Sequence, residues 1–204
     1  MKNVKKEDYK YIERMLYGID PINGFIREGN MAVSGAEAII PESERLVNEF
    51  LEDDKSYVGF FRDWHPENAT EFGKFPPHAK KYSHESELVD ELRKYESMAV
   101  TYFKNSRSGI FAPGFLEDVI SMVNLKEVIL FGLCSDKCVM DFGIPLVNLF
   151  DELNRNVSVI VPTNVVDTYD APNHNRDEYN KMAFRFMEEE GIKIVKKYEM
   201  KRGI

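Results

Sequence analysis

Residues 128–140 read VILFGLCSDKCVM. The residues before Gly132 are apolar on both faces of an extended chain, which is typical of a parallel strand covered by helices on each side. After the glycine, Ser135 or Asp136 can cap a helix whose first turn begins near Cys138. The segment therefore predicts a buried strand, a turn and the start of a helix, a unit from which α/β folds are built.

Cys138 lies where such a unit favours a reactive thiol. Unpaired backbone N–H groups and the positive end of a helix dipole both favour thiolate over thiol, and the same N–H groups can bind an oxyanion. A buried cysteine is, however, more often a packing residue. Cys134 and Cys138 could also form a disulfide or a metal pair. Their spacing fits no usual zinc pattern, and 2 cysteines in the whole chain indicate a reducing compartment.

The composition restricts the class of ligand. The chain has 204 residues, which suits one domain spanning residues 1–204, and its formal net charge of -8 argues against nucleic acid as the main partner. A small or neutral ligand is easier to accommodate. No apolar run approaches the roughly 18 residues that a membrane span needs. The basic start, residues 1–6, leads into charged residues and not into the apolar region of a signal peptide. We therefore expect a cytoplasmic protein with no membrane partner.

Strands and helices alternate along the chain. Apolar runs predict strands at residues 14–20, 57–63, 98–103, 128–132, 157–161 and 192–195. Helical patterns predict helices at residues 41–51, 85–95, 115–123, 138–153 and 177–190. This order predicts a single three-layer α/β/α domain with a mainly parallel sheet of about six strands. No glycine-rich loop of the kind that binds nucleotide phosphates follows any of these strands.

Four polar residues lie at or just after the carboxyl ends of predicted strands: Asp20, Asp63, Lys104 and Cys138. Parallel strands bring these ends to one edge of a sheet, so we expect the four side chains to share a crevice. Asp20 as base, Cys138 as nucleophile and Lys104 as the cation that steadies both would make an acyl-transfer site. The alternatives are that Asp20 only caps a turn and that Lys104 is a solvated surface residue.

The loop at residues 63–81 carries a candidate metal site. Asp63 and His65 project to one side of an extended chain, His78 could complete the set, and Glu71 could add a fourth ligand. Zinc, iron and manganese all accept such a mixture of nitrogen and oxygen ligands, and zinc is the metal that we expect. The alternative is an ordinary polar loop.

Four segments resemble the isochorismatase-like cysteine hydrolases, and among them the nicotinamidases. Residues 20–25 (DPINGF) resemble the family segment Asp-x-Gln-x-Asp-Phe, and residues 29–36 (GNMAVSGA) resemble Gly-x-Leu-x-Val-x-Gly-Ala. Residues 132–139 (GLCSDKCV) match the signature Gly-x-x-Thr-Asp-x-Cys-Val, with a serine in place of the threonine. Residues 62–68 (RDWHPEN) resemble the nicotinamidase metal motif, which many relatives lack. The resemblance covers nearly the whole chain.

This resemblance implies a catalytic triad and a site for one divalent metal ion. The triad would consist of Asp20, Lys104 and Cys138. The metal ligands would be Asp63, His65, His78 and, in a fourth place found in some members, Glu71. An oxyanion hole is implied as well, formed by the N–H groups of Cys134 and Cys138 beside a cis peptide bond between Leu133 and Cys134. The apolar walls against a flat ring would be Phe25, Trp64 and Phe111.

The implied activity is the metal-assisted hydrolysis of nicotinamide to nicotinate and ammonia through a cysteine thioester, a step of NAD salvage. Two alternatives stay open. One is an isochorismatase-like amidohydrolase that acts on another small amide, ureide or carbamoyl compound. The other is a catalytically silent member of the family that only binds a ligand. In each case a small molecule is the expected partner, and the resemblance also makes a homo-oligomer an expectation.

Overall fold

A parallel sheet of seven strands forms the middle of the structure, a computed structural model that describes residues 5–200. The strands are β1 (Arg14–Ile19), β2 (Ser56–Asp63), β3 (Val100–Lys104), β4 (Glu127–Leu133), β5 (Ser158–Pro162), β6 (Val166–Asp167) and β7 (Lys193–Val195). Their order is β3-β2-β1-β4-β5-β7, with β6 also paired to β4, and every pair is parallel. Residues 1–4, on which part of the signal-peptide prediction rests, lie outside the described residues.

Helices cover both faces of the sheet, which confirms the predicted three-layer α/β/α fold. The α-helices are α1 (Asn23–Ile26), α2 (Ile40–Glu52), α3 (Asp90–Arg93), α4 (Phe115–Ser121), α5 (Met140–Glu152) and α6 (Arg176–Glu189). Short 3-10 helices lie at Lys6–Tyr11, Ala36–Ile39, Thr70–Gly73, His84–Ser86, Glu96–Met98 and Gly109–Phe111, and a π-helical turn lies at Ser135–Val139. Helices α4, α5 and α6 pack on one face of the sheet and α2 on the other. Within residues 5–200, no helix is both long enough and apolar enough to cross a membrane.

The central strands are apolar on both faces because both faces are covered. In β1, Met15 and Tyr17 pack in the core beneath α4, α5 and α6, whereas Leu16 packs in the core beneath α2. In β4, Val128 and Ile129 divide between the two cores in the same way. A continuous apolar run is therefore the pattern that predicts these strands. An alternating pattern of apolar and polar residues would instead indicate a strand with one exposed face.

The prediction of a helix at residues 85–95 is wrong. Leu88, Val89 and Leu92 fit a helical stripe, but the chain forms a 3-10 turn, an extended stretch and then the single turn α3. Backbone hydrogen bonds to a distant segment hold the extended stretch. The Val89 N–H donates to the Pro21 oxygen at 3.1 Å, and the Asn23 N–H donates to the Glu87 oxygen at 2.9 Å. Tertiary pairing therefore outweighs the local helical pattern here.

Gly132, next to the end of β4, has a conformation that requires glycine. Its φ is +118°, and a Cβ atom would lie 2.0 Å from the backbone oxygen of Ile19 on the neighbouring strand. We expect Gly132→Ala to lower the free energy of unfolding, measured by urea denaturation, by about 3 kcal/mol or more, the upper end of the cost of one strained backbone position. Gly73→Ala is the matched control, because a Cβ there meets nothing within 4 Å. Equal losses in the two variants would contradict this explanation.

Candidate active site

Three charged residues at the ends of neighbouring strands meet at one edge of the sheet. Asp63 ends β2 and Lys104 ends β3, and the two residues are paired in register. Asp20 directly follows β1 with a φ of 51°, a left-handed conformation uncommon outside glycine. Its Oδ1 accepts a hydrogen bond from the Asp63 N–H at 2.8 Å. All three side chains are buried, and they share the crevice that the strand ends predict.

Lys104 is the centre of this group. Its Nζ lies 2.8 Å from Asp20 Oδ2, 2.5 Å from Asp63 Oδ1 and 3.8 Å from Cys138 Sγ. Burial alone would lower the pKa of Lys104, but the two carboxylates outweigh it and hold that pKa well above its ordinary value. Lys104 is therefore a fixed cation between two carboxylates and a thiol, and the alternative of a solvated surface lysine is wrong.

The two carboxylates have different tendencies to bind a proton. Burial raises the pKa of Asp20, and the charge of Asp63 raises it further, against the opposing effect of Lys104. Burial also opposes ionisation of Asp63, yet Lys104, His65 and His78 hold the pKa of Asp63 below its usual range. Asp20 is therefore the carboxylate suited to take up a proton, and Asp63 is the one that stays charged.

Cys138 lies in the π-helical turn that precedes α5. Burial raises the pKa of its thiol well above the ordinary value; Lys104 opposes this effect, while Asp20 and Asp63 add to it. In the resting site, burial and the two nearby carboxylates therefore act against the thiolate that the start of the helix was expected to favour. The thiol needs a base at the moment of attack, and Asp20 is within reach: one ligand atom each of Asp20, Asp63 and Cys138 lie within 4.8 Å of one another.

The turn before Cys138 has the backbone feature that the resemblance implies, because the peptide bond between Leu133 and Cys134 is cis. Cys134 and Cys138 are both free thiols, so the disulfide alternative is wrong. Both cysteines line the same cavity. The assignment of their N–H groups to the oxyanion stays a prediction.

Asp63, His65 and His78 form a buried cluster beside Lys104, with one ligand atom from each within 4.8 Å of the others. The Nε2 atoms of the two histidines lie 3.5 and 3.6 Å from Asp63 Oδ2. Among residues 5–200, no group hydrogen-bonds to the buried His65 Nε2. A buried unpaired nitrogen beside a carboxylate and a second imidazole fits a divalent metal such as zinc. The same chemistry argues against an ordinary polar loop.

The other ring nitrogen of each histidine is held by a hydrogen bond. His78 Nδ1 donates to the Pro76 carbonyl oxygen and His65 Nδ1 to Asn105 Oδ1, both at 2.8 Å. Such bonds fix the tautomer that leaves Nε2 available to a metal. The sequence analysis did not identify Asn105, whose only signal is its place directly after β3. Glu71 lies on a separate 3-10 helix and lines the cavity next to the cluster, but it is not part of the cluster. Three of the four predicted ligands therefore come together.

Asp20, Asp63 and Cys138 make a second group whose ligand atoms lie within 4.8 Å of one another. This group already has a cation, because Lys104 Nζ contacts both carboxylates and approaches the sulfur. A metal ion there would face a fixed positive charge at close range. The histidine cluster is therefore the better metal site of the two.

One cavity of about 330 Å³ joins the thiol to the metal cluster. Asp63, His78 and Cys138 all line it. Phe25 lines it as well, with its ring centroid 5.6 Å from that of His78. Its volume and mixed apolar and polar lining suit a small ring-shaped ligand.

Two of the three predicted pocket walls are not among the residues that line this cavity. Trp64 lies between two inward-pointing residues of an extended chain, so it points the other way and packs against Tyr82 and Phe103. Phe111 ends a 3-10 helix with 77% of its side chain exposed. Phe25 is the predicted wall that does line the cavity.

A buried pair that the sequence analysis did not identify borders the cavity. His174 Nε2 lies 2.9 Å from Asp136 Oδ2, and its ring stacks between those of Tyr169 and Tyr179 at centroid distances of 3.7 and 3.6 Å. Tyr169 lines the cavity. Asp136 therefore ties the turn that carries Cys138 to the cavity wall, and the predicted helix cap is wrong, since no side chain caps this turn.

Comparisons with known proteins agree with this fold. The family model for the isochorismatase domain matches residues 15–195. Nicotinamidase 1 of Arabidopsis thaliana is 28% identical over 174 residues, which are 76% of this chain and 70% of that protein. A pyrazinamidase of Pyrococcus horikoshii, solved in complex with zinc, is 25% identical with a TM-score of 0.72, covering 91% of this chain and 99% of that one. An N-carbamoylsarcosine amidase from Thermoplasma acidophilum shares the fold at 22% identity and a TM-score of 0.72, covering 94% of this chain and 100% of that one.

Proposed function

The chain belongs to the isochorismatase domain family, and from that premise we propose that it is a nicotinamidase, which hydrolyses nicotinamide to nicotinate and ammonia with one bound divalent metal ion. The observation that carries the proposal is that Asp63 and His78 of the metal cluster open on the same cavity as Cys138. The similarity to a plant nicotinamidase and to a zinc-bound pyrazinamidase supports both the substrate and the metal.

The first half of the proposed reaction forms a thioester. Asp20 takes the proton of the Cys138 thiol as the sulfur attacks the amide carbon, a role that suits a carboxylate whose pKa is raised towards neutrality. Lys104 offsets the negative charge that moves between the sulfur and the carboxylate. The N–H groups of Cys134 and Cys138 bind the oxyanion, and losing one such donor typically costs about 3 kcal/mol.

The second half regenerates the enzyme. Asp20 gives its proton to the leaving nitrogen, so the carbon–nitrogen bond breaks, ammonia departs and a nicotinoyl thioester remains on Cys138. A water molecule then attacks the thioester carbon while Asp20 takes one of its protons. The carbon–sulfur bond breaks, the proton passes back to the sulfur, and nicotinic acid leaves and ionises to nicotinate. One water is consumed for each amide hydrolysed.

Asp63, His65 and His78 would hold the metal. A divalent ion held there would supply Lewis-acid chemistry suited to the pyridine nitrogen of the substrate. Asp63 would link the two halves of the site, because its Oδ1 contacts Lys104 while its Oδ2 faces the histidines. Phe25 would contact the ring of the substrate.

A second candidate is the hydrolysis of another small amide or carbamoyl compound. It is favoured by one observation: Arg107 and Lys137 line the cavity and could bind a substrate carboxylate, which nicotinamide lacks. Both cations already have acidic partners, however, since Arg107 Nε lies 3.0 Å from Asp141 Oδ2 and Lys137 Nζ 2.7 Å from Asp136 Oδ2. Nicotinamide therefore stays the first candidate.

Ammonia release from nicotinamide and from N-carbamoylsarcosine by zinc-loaded protein distinguishes these functions. We expect release from nicotinamide. Release from the carbamoyl compound alone would support the second candidate. A folded, zinc-loaded protein that releases ammonia from neither compound would contradict the proposal of a nicotinamidase.

A further inference from the structure

The backbone on both sides of His78 is held by side chains that come from outside the metal loop. On one side, Asn30 Nδ2 donates to the Pro77 carbonyl oxygen at 2.9 Å. On the other, the Ala79 N–H donates to Glu85 Oε2 at 2.9 Å. Each contact is one residue away from the candidate metal ligand, so together they fix the peptide groups that flank it.

Ala79 connects this arrangement to the second histidine. It is fully buried and has a φ of +39°, a conformation that residues other than glycine rarely adopt. Its carbonyl oxygen accepts a hydrogen bond from the His65 N–H at 3.1 Å. A strained backbone position persists where its surroundings hold it, and the Glu85 carboxylate is the side chain bonded to its N–H. The backbone of this one residue therefore connects the two histidines: its N–H side follows His78, and its carbonyl oxygen bonds to His65.

Gly29 provides the space in which the Glu85 carboxylate lies. Its φ is +88°, and a Cβ atom there would approach Glu85 Cδ and Oε1 to 2.8 Å. Glycine at position 29 therefore allows the left-handed conformation of its own turn and also leaves room for the Glu85 carboxylate. The Gly29–Asn30 pair thus acts on the metal loop twice, by direct contact through Asn30 and by leaving room for Glu85.

We propose that Asn30 and Glu85 form a clamp that positions His78, and through Ala79 also His65, for metal binding. Asn30 and Glu85 are positioning residues, because they contact the backbone of the metal loop and not the histidine rings. The clamp rests on the proposed metal site. It predicts that the affinity for the metal depends on two residues that lie outside residues 63–81.

Zinc affinity, measured by competition with a chromophoric chelator, tests the clamp independently of any substrate. We expect Glu85→Ala to weaken zinc binding by about 10- to 100-fold, the usual cost of losing a residue that orients a metal ligand. Glu85→Gln should recover most of the affinity, because its amide oxygen can accept the same N–H. Glu87→Ala is the matched control, since Glu87 lies on the same segment but pairs with Arg93 at the surface.

Asn30→Ala breaks an exposed contact and tests the other side of the clamp. We expect a weaker affinity for zinc, with the unfolding transition of the metal-free protein unchanged. Two results would overturn the clamp: wild-type affinity in both Glu85→Ala and Asn30→Ala, or the same loss in Glu85→Gln as in Glu85→Ala. If the wild-type protein binds no zinc, the metal site is wrong and the clamp falls with it. If zinc binds but nicotinamide is not hydrolysed, the proposed substrate fails while the clamp is still decided by these affinities.

Discussion

Cys138→Ala is expected to lower the rate of nicotinamide hydrolysis by about a millionfold, the size of loss seen when the nucleophile of a covalent catalytic site is removed. Cys138 Sγ lies 3.8 Å from Lys104 Nζ and within 4.8 Å of a carboxylate oxygen of Asp20. No other described side chain that lines the cavity offers a nucleophile next to both Lys104 and this base. The measurement is steady-state ammonia release by the variant and the wild type, both loaded with zinc.

The affinity of Cys138→Ala for zinc provides the control. If the metal binds to the histidine cluster, this variant keeps the wild-type affinity. A large loss of affinity would place the metal in the alternative group formed by Asp20, Asp63 and Cys138. Cys134→Ala should keep most of the activity, because the proposed role of Cys134 belongs to its backbone N–H. Substantial turnover by Cys138→Ala would contradict the thioester mechanism.

Lys104→Met is expected to lower both stability and activity. The substitution leaves Asp20 and Asp63 buried without the cation that lies between them, and breaking a buried ion pair from one side typically costs 3–5 kcal/mol. Activity should fall by about 10²- to 10⁴-fold, the contribution of a positioned general base. Without Lys104, burial and the charge of Asp63 raise the pKa of Asp20 against only the smaller effect of the Cys138 hydrogen bond, so Asp20 is expected to be protonated and unable to take the thiol proton. Urea denaturation and kcat for ammonia release measure the two effects.

Lys126→Met is the matched control for the loss of a paired lysine. Lys126 Nζ lies 2.7 Å from Glu13 Oε2, but its side chain is 66% exposed, and surface ion pairs contribute about 0–1 kcal/mol. We expect a small change in stability and no change in kcat. A stability loss in Lys104→Met no larger than in Lys126→Met would contradict the role of Lys104 as the central cation of the site.

The sequence was most informative where burial is complete. Strands β1, β2 and β4 are covered on both faces, so their apolar runs predict them correctly. The two-residue strand β6 was not predicted, because Val166–Asp167 is too short to show a period. The helix predicted at residues 85–95 failed for a different reason: hydrogen bonds to residues 21–23 hold the chain extended, and nothing local in the sequence signals a partner that far away.

Some residues of the candidate site could also be predicted from the sequence, and others could not. Asp20, Asp63 and Lys104 were predictable because the ends of parallel strands meet at one edge. The position of Phe111 was not, because the direction of a side chain depends on the path of its loop. The outward direction of Trp64 did follow from alternation between Asp63 and His65, so its prediction as a wall was inconsistent with the predicted metal site. The partners that orient the site are also distant in sequence: Asp136 and His174 are separated by 38 positions and His65 and Asn105 by 40. Such pairs leave no local pattern, and the protonation of Cys138 depends on burial that only the folded chain defines.

The central claim is that the thiol and the metal cluster act on one substrate in one cavity. Its most direct test measures ammonia release from nicotinamide by one preparation three times: loaded with zinc, after removal of zinc by a chelator, and after zinc is restored. The unfolding transition is recorded at each stage to show that the protein stays folded. We predict that release falls on chelation and returns with zinc. Undiminished release from the folded, zinc-free protein would contradict the claim, because the Asp63, His65 and His78 cluster would then have no part in the reaction.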